Sequence, residues 1–135
     1  MKKAISVLLV LVVVCICSVS VMAEDGVMPR YTGISTFSGT VTISGRTVNT
    51  SVTGTLWDGY TGKLTAALQE RGPDGVWKTV ANYTGTASNR GAHLIDQSYT
   101  GTPGYSYRAY CVFKAYDASG NLVDDEARYT NVHTV

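Results

Sequence analysis

From residue 40 onward the chain is a series of short stretches in which apolar and polar side chains alternate, each closed by Gly, Pro, Asn or Asp. Period-two alternation sends successive side chains to opposite faces of an extended strand. No window sustains the three-and-four spacing of an amphipathic helix, which excludes a helical bundle. Many short strands between turn signals make the pattern of an all-β sandwich or barrel.

The strands can be placed one by one. Residues 40–44 carry Val41 and Ile43 on one face, and Gly45-Arg46 turns the chain. Residues 47–57 return with Val48, Val52 and Leu56 on one side and Thr or Asn on the other. After a turn at 58–62, residues 63–70 place Leu64, Ala66 and Leu68 inward. Gly72-Pro73-Asp74-Gly75 is a strong turn, because Pro presets one dihedral and Gly permits positive φ. Residues 76–80 follow, with Trp77 available for the core. Residues 81–91 read as looser, ending in an exposed loop at 88–91. Residues 92–99 make the next strand, and Gly101-Thr102-Pro103-Gly104 turns into the longest one, 105–116. A hairpin loop at 117–121 leads to the last strand, 122–132. The count is seven to eight strands, with no linker and no internal repeat.

A different signal occupies the start of the chain. Lys2 and Lys3 precede an apolar run from Ala4 to about Val14, which extends with small breaks to Met22. Val21-Met22-Ala23 supplies a small-x-small cleavage pattern, and Glu24-Asp25 follows. This is the layout of a secretory signal peptide. It predicts a signal peptide at 1–23 and a single secreted β-sandwich domain at 24–135. The competing reading is an uncleaved anchor, since Ala4 to Ala23 is long enough to span a bilayer. Polar Ser18 and Ser20 and the cleavage pattern favour removal. Cys15 and Cys17 follow Val14 and Ile16, where lipid attachment wants a small residue.

Of the 11 Lys and Arg, Lys2 and Lys3 fall within the signal, so nine cations remain against all 10 Asp and Glu, a net charge of −1. Near-neutrality gives no electrostatic case for nucleic acid, or for a membrane once the signal is removed. Cys111 is the only cysteine after residue 23 and cannot form an internal disulfide. Packing alone must then hold the fold, and so few cysteines in an exported chain fit a Gram-positive source.

The segment Pro103-Gly104-Tyr105-Ser106-Tyr107-Arg108-Ala109-Tyr110-Cys111-Val112-Phe113 resembles the penultimate strand of fibronectin type III and other immunoglobulin-like domains. The resemblance implies an immunoglobulin-like antiparallel β-sandwich. It makes Tyr107 the tyrosine-corner residue, whose hydroxyl bonds backbone near the strand start. It sends Ala109, Cys111, Phe113 and Ala115 to the core and makes Trp77 the buried tryptophan. The sequence departs at Gly101, where the family has leucine, and in the spacing from Trp77 to Pro103. As a whole the chain also resembles small exported Gram-positive (Firmicute) proteins of unknown function, which implies no activity.

Opposite the expected core face, the long strand carries Ser106, Arg108, Tyr110, Val112, Lys114 and Tyr116. Aromatic rings stack on ligands while cations fix polar groups, so Arg108, Tyr110, Lys114 and Tyr116 form the candidate binding face. Cross-strand stabilisation is the plainer role for the same residues. His93 and His133 fall on different strands, with no neighbouring motif of metal ligands, so neither is assigned a metal. Asp124-Asp125-Glu126 reads as a solvated edge that discourages strand-to-strand aggregation. No Gly-x-Ser-x-Gly elbow, no Ser-x-x-Lys and no cofactor motif occurs. Cys111 shares a face with Ala109 and Phe113 and reads as a buried, inert thiol.

These readings predict a non-catalytic exported binding module, in the medium or at the cell envelope, with a protein or glycan partner. One alternative is a secreted antagonist acting through its loops: a small toxin, bacteriocin or enzyme inhibitor. The other is a hydrolase with a site assembled from scattered residues, which would need a cleft holding a close His–carboxylate pair.

Overall fold

The computed structural model describes residues 31–88 and 91–135. The expected signal segment at 1–23 and its cleavage point lie outside the described residues, as do Asn89 and Arg90 of the expected loop. The strands are β1 (Ile34–Ser44), β2 (Thr47–Leu56), β3 (Thr61–Arg71), β4 (Trp77–Thr84), β5 (Thr86–Ala87), β6 (Ala92–Thr100), β7 (Ser106–Tyr116), β8 (Leu122–Tyr129) and β9 (His133–Thr134). Seven are full strands. β5 and β9 are two-residue pairings, so the expected seven to eight strands are present.

Two antiparallel sheets run β1-β2-β6-β5 and β4-β3-β7-β8, with β9 beside the start of β7. Lettered from the first strand, the orders are A-B-E-D and C′-C-F-G, those of an immunoglobulin-like sandwich. Inward positions alternate as the sequence implies. Val48, Val52 and Leu56 on β2 are buried, as are Leu64, Ala66 and Leu68 on β3. Tyr107, Ala109, Cys111, Phe113 and Ala115 on β7 are buried too. Each large apolar side chain removed from water stabilises by about 1.5–3 kcal/mol. The Tyr107 hydroxyl accepts from the backbone N–H of Thr102 at 2.8 Å and donates to Glu70 Oε2 at 3.1 Å. It thus forms the tyrosine corner.

Bulges account for the main departures from expectation. β1 begins at Ile34 rather than residue 40, and Ser35 is left out of its register with β2. The extra residue shifts the inward positions from Ile34 to Phe37 and Val41, which hides the alternation. β4 runs on to Thr84, through a stretch expected to be loose. Val80 is the extra residue there, because Leu68 pairs with Ala81 while Gln69 pairs with Thr79. Strict alternation would put Trp77 and Tyr83 on one face. The bulge keeps Ala81 and Tyr83 against the core and turns Trp77 outward, half-buried on the outer face. The expectation of a buried Trp77 is therefore corrected, and Leu64 and Leu68 supply the large core side chains of β3.

The last expected strand, 122–132, is also split. Thr130 donates its N–H to Ala109 O, and its Oγ1 accepts from Ala109 N, both at 2.9 Å. Asn131 then bonds both N and O of Val41 with its side chain, each at 3.2 Å. These bonds draw the chain off β8, and β9 forms against Ser106 and Tyr107 instead.

Candidate functional site

The outer face of the β4-β3-β7-β8 sheet is set by the same parity that fills the core. With Leu64, Ala66 and Leu68 inward, Lys63, Thr65, Gln69 and Arg71 point out from β3. With Ala109, Cys111 and Phe113 inward, Arg108, Tyr110, Lys114 and Tyr116 point out from β7. All four residues of the expected binding face therefore stand on one surface, in two groups.

The first group surrounds Arg108. Its guanidinium carbon lies 4.2 Å from the Trp77 ring centre and 4.0 Å from that of Tyr129, so the group is held between two rings. Its Nε donates to Gln69 Oε1 at 2.9 Å. Arg71 stacks on Trp77 at 4.8 Å. Tyr110 packs on Tyr129, its cross-strand partner, with ring centres 4.9 Å apart. Tyr129 is 53% exposed and Tyr110 36%, so the row stands in solvent.

Lys114 and Tyr116 belong to the second group. They line a shallow groove of about 350 Å³ with Lys63, Thr65 and Val112. Lys114 Nζ lies 3.4 Å from Asp125 Oδ2. Sequence reasoning missed Trp77, Tyr129, Gln69, Arg71 and Lys63 as members of this surface. The parity of β3 already placed Lys63, Gln69 and Arg71 outward. Trp77 could be found only through the bulge at Val80.

Elsewhere several titratable groups have structural partners. Asp124 accepts the backbone N–H groups of Thr32, Gly33 and Ile34 at 3.1, 2.6 and 3.0 Å. Burial pushes its carboxyl up, yet the three N–H donors outweigh this and hold it below its ordinary value. Tyr31 donates its hydroxyl to Glu126 at 2.8 Å. The acidic run is thus more than a solvated edge. Two of its members tie residues 31–34 to β8, and Asp125 serves the outer face.

Cys111 is a buried free thiol whose pKa is pushed up to about 11 by burial. His93 is buried with its ring centre 5.4 Å from that of Phe113, and its Nδ1 lacks a partner among the described residues. His133 is exposed beside Asn131. No group of three or more His, Cys, Asp and Glu could hold a metal among the described residues. A second depression, about 300 Å³, lies between Glu70, the Pro73 turn, Lys78 and Tyr105. Its lysine is already closed on Asp74 at 2.6 Å. No family model matches the chain, and no curated protein or solved structure does.

Proposed function

We propose that this protein is an exported, non-catalytic binding module. It takes a protein or glycan of the cell envelope on the outer face of the β4-β3-β7-β8 sheet. The observation behind this is the solvent-facing row of Trp77, Arg108, Tyr129 and Tyr110. Trp, Tyr and Arg are the side chains that dominate binding hot spots. Stacking fixes their rotamers before a partner arrives, which lowers the ordering cost of association. A rigid sheet places them, so the surface keeps its shape when free.

Export and a Gram-positive (Firmicute) source belong to the same reading. They rest on the layout of residues 1–25 and on Cys111 standing alone after residue 23. Kinship with fibronectin type III domains rests on the Pro103-Gly104 turn and the Tyr107–Thr102 bond.

The test is an array of glycans, cell-wall fragments and envelope proteins probed with the full chain and with a Tyr110→Ser/Tyr129→Ser variant. The variant is expected to keep its melting transition within a few degrees and to lose the partner. Unchanged affinity would make the face purely structural and turn attention to the loops, chiefly residues 117–121.

A further inference from the structure

Charge is unevenly shared over the molecule. Of the seven Lys and Arg among the described residues, four stand on the outer face just described: Lys63 and Arg71 on β3, Arg108 and Lys114 on β7. Of the eight Asp and Glu among the described residues, Asp125 alone stands there. The described residues together carry one more carboxylate than cation, so this face is positive against the balance of the described residues.

The cations form two centres. Lys63 and Lys114 are direct cross-strand partners. Like charges placed opposite each other destabilise a sheet. Asp125 offsets Lys114 from an exposed position, and Lys63 has no ion-pair partner among the described residues. An anion in the groove between them would relieve the repulsion. The second centre is Arg108. Its plane is fixed by Trp77, Tyr129 and Gln69, and its two Nη groups have no protein acceptor among the described residues. A guanidinium held this way is a ready fork for a carboxylate or phosphate.

Arg108 and Lys114 lie six residues apart on one face of β7, about 20 Å at roughly 3.3 Å per residue. A compact anion cannot reach both centres, but an extended chain can. Between them lie the exposed rings of Tyr110 and Tyr129 and the hydroxyl of Thr65. The groove over Lys63 and Lys114 is shallow rather than a deep apolar socket for an anchoring side chain, which fits sugar rings better than a peptide.

We propose that this face binds an extended acidic polysaccharide. Its anionic groups engage the Lys63–Lys114 pair and the Arg108 fork, and its rings lie on Tyr110 and Tyr129. This rests on the reading of the face as the binding surface.

The test is titration calorimetry on the full chain. Four polymers serve as probes: polygalacturonate, a phosphodiester-linked mannan, fully methyl-esterified polygalacturonate and poly-glutamate. Binding is expected to at least one of the first two, weakening as salt rises, and the one preferred identifies carboxylate or phosphate as the anion. Lys63→Gln/Lys114→Gln and Arg108→Gln should each lose about tenfold or more in affinity. Their melting transitions should stay near that of the parent protein.

Equal affinity for the methyl ester would overturn the anionic class while leaving the face as the binding surface. Poly-glutamate bound in preference to both acidic polysaccharides would overturn the glycan class. Binding to none of the four would overturn the proposal. Tight binding that none of these variants alters would overturn both the proposal and the choice of face.

Discussion

Phe113 lies over Gly54 of the opposite sheet, so closely that a β-carbon on Gly54 would stand 2.5 Å from Cε1 of the ring. Gly54 pairs with Phe37 on one side and His93 on the other. Both rings also touch Phe113, with centres 5.7 and 5.4 Å away. The phenyl ring is therefore inserted between two aromatic walls above a bare backbone. It cannot step aside, because its neighbours fill the space.

Gly54→Ala should therefore destabilise by about 1–3 kcal/mol through overpacking. That outweighs the gain of about 0.5–1 kcal/mol that Ala normally gives over Gly in a strand. Equilibrium urea unfolding reads this directly. A midpoint equal to or above that of the parent protein would mean the ring relaxes freely.

Asp124 carries a pH dependence whose direction is fixed. Its folded carboxyl titrates below the unfolded value of about 3.9. The stability it adds is present above that value and is lost as pH falls through the lower, folded value. Asp124→Asn should cost about 1–2 kcal/mol near pH 7, and the gap to the parent protein should close in acid. A gap that persists unchanged down to the acid limit would show that charge plays no part.

Trp77→Ala should cost less than Phe113→Ala, because Trp77 is half-buried on an outer face whereas Phe113 is fully enclosed. Truncating an enclosed Phe typically costs about 3–5 kcal/mol. Tyr107→Phe removes the hydroxyl that serves both Thr102 and Glu70, and should cost about 1–3 kcal/mol. Comparing the three urea midpoints checks the ranking. Trp77→Ala as costly as Phe113→Ala would refute the outward placement.

Cys111 should resist a bulky thiol reagent in the native state and react at once in denaturant. Its thiol is enclosed, and with a pKa near 11 almost none is thiolate at neutral pH. Rapid native labelling would show that the sheets open easily around β7.

Where a strand keeps strict alternation, the sequence determined its faces. β2, β3 and β7 bury the residues their spacing implies, because side-chain direction in a strand follows a period of two that is local to the chain. Turn positions were equally legible, since residues such as Gly75 and Gly120, at φ of 72° and 82°, need the freedom of glycine. The outward set on β7 followed from the same parity, so Arg108, Tyr110, Lys114 and Tyr116 could be placed on one surface from sequence.

Only the tertiary structure decided the rest. Ser35 and Val80 are extra residues relative to a neighbouring strand, and no local pattern marks them, because a bulge exists only in a pairing. The Val80 bulge turned Trp77 from core to surface and so completed the cage around Arg108. Asp124 likewise found its three N–H donors some 90 positions away in the chain. Where no bulge intervenes, faces are local and were written in the sequence. Partners are distant, and folding alone brings them together.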